Sequence, residues 1–314
     1  MVADRVVIES AGKVRGLSGT VGSAVFDILN YAFLGLLGVL AVFPFLEIIQ
    51  ISLSDPAHVT PDLRYHLSTW AQTASLDIYE FILGWSKTLI GLGNSVKYAF
   101  FGIAISLTLN TLVAYPLSKK RLHFRGPVVV FVAFTMFFSG GLIPTYLLVR
   151  ALGMLDTMWA LVLPTAFSAW HMIMMRTFFE QVPAEMEDAA HMDGANDVFV
   201  LARIYVPLSK ALYAAMALYF FVITWNSRFH ALVYLQDIAK YPIQLVMRNF
   251  ILEGHRAHEI TNLPFYKGYY LDDPAVQKIL NAALMVVTII PIIAIYPFAQ
   301  KYLIKGTMIG AIKG

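Results

Sequence analysis

Cysteine is absent from this sequence, so thiolate metal sites, disulfides and cysteine nucleophiles are excluded together, and acid–base or metal chemistry falls to 8 histidines and 20 acids. The histidines (His58, His66, His123, His171, His191, His230, His255 and His258) are scattered, whereas an enzyme would need several catalytic groups converging on one side. His255 and His258, with Glu259 beside them, have a ligand-like spacing, but no third ligand converges on the pair, and a solvated loop is the simpler reading. GLGNSVK at 91–97 does not match the G-x-x-x-x-G-K-[ST] phosphate loop, so ATP hydrolysis is not expected of this chain. No catalytic residue, metal site or resident cofactor is expected.

The remaining polar pattern suits docking rather than catalysis. Residues 187–208 read EDAAHMDGANDVFVLARIYVPL. Pro183 suits a first helical position, and Glu185, Glu187 and Asp188 fall in the first turns, where the helix dipole favours acids. Gly194 fits the C′ position that ends such a helix. The spacing predicts a helix from Pro183 to Asp193, too short to be stable alone in water. Met186, Ala189 and Ala190 form its least polar face, and two alanines let a large partner approach closely. A second helix, with Val198, Leu201, Ala202 and Tyr205, is expected before Pro207. From Ala-Ala…Gly alone, an ordinary capped surface helix is the default.

The elements that must position this stretch are apolar. Of 314 residues, 58% are hydrophobic and 14% charged, against about 25% charged in a typical soluble domain. Mean hydropathy is +0.66, and a net charge of +3 gives no case for nucleic acid. A helix crossing the hydrocarbon layer needs roughly 20 apolar residues. Six segments qualify, at about 29–53, 94–118, 127–149, 157–178, 207–225 and 279–303. The expected fold is an all-α integral membrane protein with six transmembrane helices, residues 1–28 forming a polar N-terminal segment and 29–314 the transmembrane domain. Residues 1–23 are mixed and polar and do not look like a cleavable signal peptide. Lys119, Lys120, Arg121 and Arg125 crowd one short loop, which places it in the cytoplasm. Both termini and the polar loop at about 180–206, between the fourth and fifth spans, then share that side. The loop at about 226–278 is external although it holds Arg228, Lys240, Arg248, Arg256, Lys267 and Lys278; long loops translocate largely regardless of charge. Glu47 and His171 offer only a weak relay for a proton-driven pump.

The full spacing says more than its parts. Asp188-Ala189-Ala190, three residues, Gly194, nine residues, then Ile204-x-Val206-Pro207 resembles the EAA loop of membrane subunits of binding-protein-dependent ABC importers, E-A-A-x3-G-x9-I-x-L-P. Asp188 stands for the family's Glu and Val206 for its Leu, and Glu187 can share the acidic role. FSGGLIPTYLLVRALGML (138–155), MMRTFFEQVP (174–183), TWNSRFHALVYL (224–235) and QKYLIKGTMIGAIKG (300–314) are similar to the carbohydrate branch of that family, nearest to permeases for complex and acidic oligosaccharides such as alginate. The likeness runs from about residue 25 to the end.

The resemblance implies a permease subunit in a bacterial inner membrane, both termini cytoplasmic, forming half of an oligosaccharide pathway. It also implies a second homologous permease subunit, two cytoplasmic ATPase subunits that hold ATP and Mg, and an extracytoplasmic solute-binding protein. Glu187, Asp188, Ala189, Ala190, Asp193, Gly194 and Pro207 become the ATPase-coupling residues. Trp170, His171, Trp225, Asn226 and Arg228 can line a sugar pathway, since aromatic faces stack on sugar rings and amides and imidazoles bond hydroxyls. Trp225 reads equally as an interfacial belt residue and His171 as a packing residue. Arg228 and Arg248, with Lys240 nearby, can receive substrate carboxylates or an acidic binding protein; a solvated loop balanced by Asp237, Glu253, Glu259, Asp272 and Asp273 is the other reading. The rival to the whole assignment is an ion-coupled secondary sugar transporter, whose internal inverted repeats are not evident between the two halves.

Overall fold

The computed structural model describes residues 21–55, 74–253, 265–266, 269–270 and 273–311. The N-terminal basic residues, His58, His66, His255, His258, Glu259, Arg256, Lys267 and Asp272 lie outside the described residues. The chain divides into two units after Gln50.

The first unit holds most of helix α1 (Val21–Ser52). Its window Ala24–Ser52 is apolar, and none of it is buried within the chain. Valines, leucines and phenylalanines are exposed around the helix from Val25 to Leu46. A helix apolar all round belongs in lipid or against another apolar chain.

The second unit is organised around α3 (Ser86–Ser118), preceded by the short α2 (Asp77–Gly84). At 33 residues, α3 is unbroken and about 50 Å long. It packs against α6 (Trp159–Ala166), α7 (Ala169–Phe179), α10 (Lys210–Trp225) and α12 (Ile243–Glu253). Close approach depends on small residues, as membrane helix contacts do. A Cβ on Gly102 would lie 2.7 Å from the Thr224 hydroxyl of α10, and one on Gly91 would lie 3.1 Å from Val246 of α12. Two cores form along α3. One gathers Ala114, Tyr115 and Leu117 with Met172, Met175, Phe179, Tyr205 and Met216; the other gathers Tyr98 with Leu161, Tyr234 and Leu245.

Among the described residues, three helices are long and apolar enough to cross a membrane unaided: α1, α3 and the start of α13 (Pro274–Ala311), Pro274–Pro297. The other expected spans are broken. Residues 127–149 form α4 (Arg125–Phe134) and α5 (Leu142–Ala151), separated where Ser139, Gly140 and Gly141 interrupt the apolar run. Gly141 there takes φ +81°, a conformation that costs glycine nothing. Residues 157–178 form α6 and α7, parted by extended backbone at Phe167 and Ser168. The fifth span does not begin at Pro207. Pro207 lies in an approach helix, α9 (Asp197–Leu208), which meets α10 at 84°. Its residues Leu201–Tyr205 wind as a wider π-helical turn, just where Pro207 removes a hydrogen-bond donor.

The long loop after α10 is also more than a loop. It folds into α11 (Arg228–Tyr234), a 3-10 turn at Ile238–Lys240 and α12, which buries Ile243 and Leu245. A two-residue antiparallel ladder, β1 (Phe265–Tyr266) with β2 (Tyr269–Tyr270), precedes α13.

Candidate functional site

The polar loop carries α8 (Ala184–Met192), with Pro183 and Asp193 as its flanking residues. Gly194 takes φ +84°; its N–H bonds the His191 carbonyl, and the Ala195 N–H bonds the Ala190 carbonyl at 2.9 Å. That pair of bonds is a Schellman stop, as the glycine at that position predicts. Asp188, Ala189 and Asp193 are exposed, Ala190 is half-buried, and Met186 and Met192 add apolar surface. Pro207, on α9, is exposed as well.

Glu187 faces the other way. Its side chain and that of Lys119 are each only 10% exposed, and the two are ion-paired. The Tyr205 hydroxyl donates to the same carboxylate at 2.9 Å. The Lys119 ammonium sits 4.2 Å from the Tyr115 ring centre and 3.7 Å from that of Tyr205, so two aromatic faces and one carboxylate enclose it. Burial acts to raise the Glu187 carboxyl's pKa, but hydrogen bonds from Lys119 and Tyr205 and the charges of Lys119 and Arg121 outweigh it, so the group sits below its usual value and is ionised. Burial and the Glu187 charge together push the Tyr205 phenol up, keeping it a donor.

The basic loop after α3 is thus neutralised from across the fold. Lys119 pairs with Glu187, Arg121 with Asp197 and, at 3.5 Å, with Glu187, and Arg125 with Glu180. Sequence reading used these cations only for orientation. Their partners are dozens of residues away, and nothing local marks them. Glu187, His191 and Asp197 could together reach one metal ion. Lys119 and Arg121 already supply the positive charge there, and His191 lies 3.6 Å from both carboxylates, so the arrangement reads as an ion-pair network rather than a metal site.

The break between α6 and α7 is held by a side chain on α3. Asn110 is fully buried; its amide donates to the Ala166 carbonyl at 3.0 Å, and its oxygen accepts from the Ser168 N–H at 3.3 Å. Both groups are freed by the break, and both are satisfied. Just beyond, Trp170 is 44% exposed and Tyr219 of α10 is 49% exposed, their ring centres 5.8 Å apart. His171 is buried behind them, 4.8 Å from Tyr219, and neither of its ring nitrogens has a partner among the described residues. Tyr219 was not anticipated, because it is one of 16 tyrosines and its neighbours come from another helix.

Trp225 does not join this group. It is 1% exposed, stacks on Phe221 and donates to the Thr288 carbonyl of α13, which makes it a packing residue rather than a belt or pathway residue. Asn226 is exposed and folds back, donating to the Val222 carbonyl. Arg228 and Arg248, 20 positions apart, line one cavity of about 450 Å³, walled by Phe229, Leu232, Met247, Ile251 and Leu252. Neither guanidinium has an acidic partner among the described residues. Lys240 lies elsewhere, paired with Asp156 at 2.6 Å. Asp156 also accepts from the Gln236 and Asp237 amides, and hydrogen bonds from the Asp237 amide, Lys240 and the Gln236 amide hold its pKa near about 2.

No family model matches the chain. Over 304 residues it is 37% identical to protein LplC of Bacillus subtilis (strain 168), covering 96% of this chain and 99% of that protein. It is 36% identical to the polygalacturonan/rhamnogalacturonan transport system permease protein YtcP of the same organism, covering 92% and 99%. Among solved structures it matches a chain in the crystal structure of a bacterial ABC transporter involved in the import of the acidic polysaccharide alginate. The TM-score is 0.81 at 30% identity, with 91% of this chain and 99% of that one covered.

Proposed function

This chain belongs to the permease subunits of ABC transporters that import sugars, and we propose on that premise that α8 is its coupling helix, docking on a cytoplasmic ATPase. The observation that carries this is the two-sided character of α8. One face, with Asp188 and Ala189, is exposed and small enough for close approach, while Glu187 on the other is bonded into the permease itself. A helix of 9 residues held this way has its stability supplied by its own subunit and its free face left for a partner.

In this reading α4 with α5, and α6 with α7, each cross the membrane as one broken span, α9 approaches the fifth, and the count is six. Both termini lie in the cytoplasm. A second homologous permease subunit completes the pathway, two ATPase subunits bind ATP and Mg, and an external binding protein delivers an oligosaccharide. The exposed rings of Trp170 and Tyr219 offer a stacking surface, with the His171 imidazole packed behind it. The cavity with two arginines that have no acidic partner among the described residues favours an oligosaccharide bearing carboxylates, because a guanidinium pairs both oxygens of one.

The test is Gly194→Val in the purified four-subunit complex. The spans should insert and the complex should assemble, while transport-linked ATP hydrolysis falls on the order of tenfold, since left-handed backbone costs a branched residue about 1–2 kcal/mol. Wild-type transport by this variant would remove α8 from the coupling role.

A further inference from the structure

We infer that α3 is the rod that carries displacement of α8 to the external side of the molecule, and that the Lys119–Glu187 pair in its tyrosine cage is the joint between them. The inference rests on the reading of α8 as the coupling helix.

Three sets of contacts, at three heights on one helix, carry it. At the inner end, Lys119 follows the last residue of α3 and is bonded to Glu187 of α8. The pair is buried on both sides, so pulling α8 from the end of α3 would separate two largely dehydrated charges and leave Lys119 without its carboxylate. α8 therefore cannot move away without drawing the end of α3 with it. About two turns before that end, Asn110 bonds the two backbone groups at the break between α6 and α7, next to Trp170 and His171. At the outer end, the Asn94 amide donates to the Ala239 and Tyr241 carbonyls, the Tyr98 hydroxyl donates to the Lys240 carbonyl at 2.8 Å, and the Ser95 hydroxyl accepts from the Ile243 N–H. These bonds fasten α3 to the segment that leads into α12, whose Arg248 lines the external cavity.

Within the second unit, the contrast with the interrupted segments gives the rod its meaning. The α4–α5 and α6–α7 segments are interrupted and α9–α10 bends by 84°, so each can flex in its middle. α3 has no break along its 33 residues, and its proline, Pro116, lies in the last turn. A stiff element bonded at both ends moves both ends together.

The chain lacks cysteine, so a single introduced thiol reports alone on its peptide. Leu252→Cys, exposed at the external cavity, is labelled with a membrane-impermeant maleimide in the whole reconstituted complex, with and without ATP and vanadate. In the otherwise unchanged chain, trapping should alter the labelling rate. Adding Lys119→Met, which keeps the apolar stem and removes the charge, should abolish that change while ATPase subunits remain bound and basal ATP hydrolysis stays within about twofold, because the cage lies off the docking face. Lys119→Arg, which keeps a cation for Glu187 and the rings, should restore part of the response. Tyr98→Phe, which removes one outer bond at constant volume, should weaken the response as well and serves if Lys119→Met does not fold. A full response in either Lys119→Met or Tyr98→Phe overturns the rod. Loss of ATPase binding in Lys119→Met overturns it too, since the cage would then shape the docking face only. Ala189→Arg separates the two readings: if it leaves ATPase binding intact, the coupling-helix assignment fails; if it abolishes binding while Lys119→Met responds fully, only the rod fails.

Discussion

Glu187 and Asp188 are adjacent acids whose side chains diverge by about 100° around α8, and that angle divides their work. Glu187 is enclosed with Lys119, whereas Asp188 is exposed beside Ala189. If α8 docks as proposed, Asp188→Lys should weaken retention of the ATPase subunits in a pull-down from detergent, because a reversed charge at an exposed docking position adds repulsion or an unpaired group. Asp188→Asn should leave the complex assembled and active, since it removes only a dipole interaction worth about 0.3–1 kcal/mol. Full retention with the Lys variant would take Asp188 off the interface. Both acids were legible as members of a short helix that stops at Gly194, from their spacing to that glycine. Which of them turned inward was not, because the residue that decides it, Lys119, is 68 positions away.

At the scale of elements, the long uninterrupted helices were readable and the interruptions were not. Hydropathy is averaged over about 20 residues, and across such a window Gly140–Gly141 or Phe167–Ser168 disappears into its apolar surroundings. Pro207 was visible, but its neighbour Ser209, where α9 turns into α10, carried no signal. The amphipathic α12 was missed for a different reason: at 11 residues it is too short for a span, so it was left within the external loop. Asn110→Leu tests what holds one of the breaks. With the Ala166 carbonyl and Ser168 amide left without their partner, the variant should lose about 1–2 kcal/mol of stability, read as a lower thermal midpoint in detergent. Uptake should fall with it, because Trp170 starts the helix that follows the break. An unchanged midpoint would mean that the freed groups find other partners.

For the whole molecule, the proposed function makes the arginine pair the feature that sets the charge expected of the cargo. Sequence placed Arg228 and Arg248 in the same loop, and the fold brings them to one cavity; it takes Lys240 away to Asp156. Proteoliposomes with the complete transporter would be given an oligogalacturonate and a neutral maltooligosaccharide over a range of salt. Arg228→Gln and Arg248→Gln should each lower uptake of the acidic sugar by about tenfold, the scale of a charge-assisted hydrogen bond, and leave the neutral one unaffected. The unaltered transporter should lose its preference for the acidic sugar as salt screens the cavity. Equal losses for both sugars would make the cavity a structural feature of the external face.

On the six-span reading proposed above, the Asn110 contact implies an order of events during biogenesis. While the chain is being made, residues 157–178 emerge as one apolar stretch that can enter the bilayer as a single helix, with its backbone bonded internally except where Pro164 lacks a donor. Opening that helix at Phe167 and Ser168 exposes a bare carbonyl and a bare amide to hydrocarbon, which is unfavourable until Asn110 is alongside. The earlier helix, already in the membrane, thus acts as a template: the later one reaches its mature shape only after the two have met.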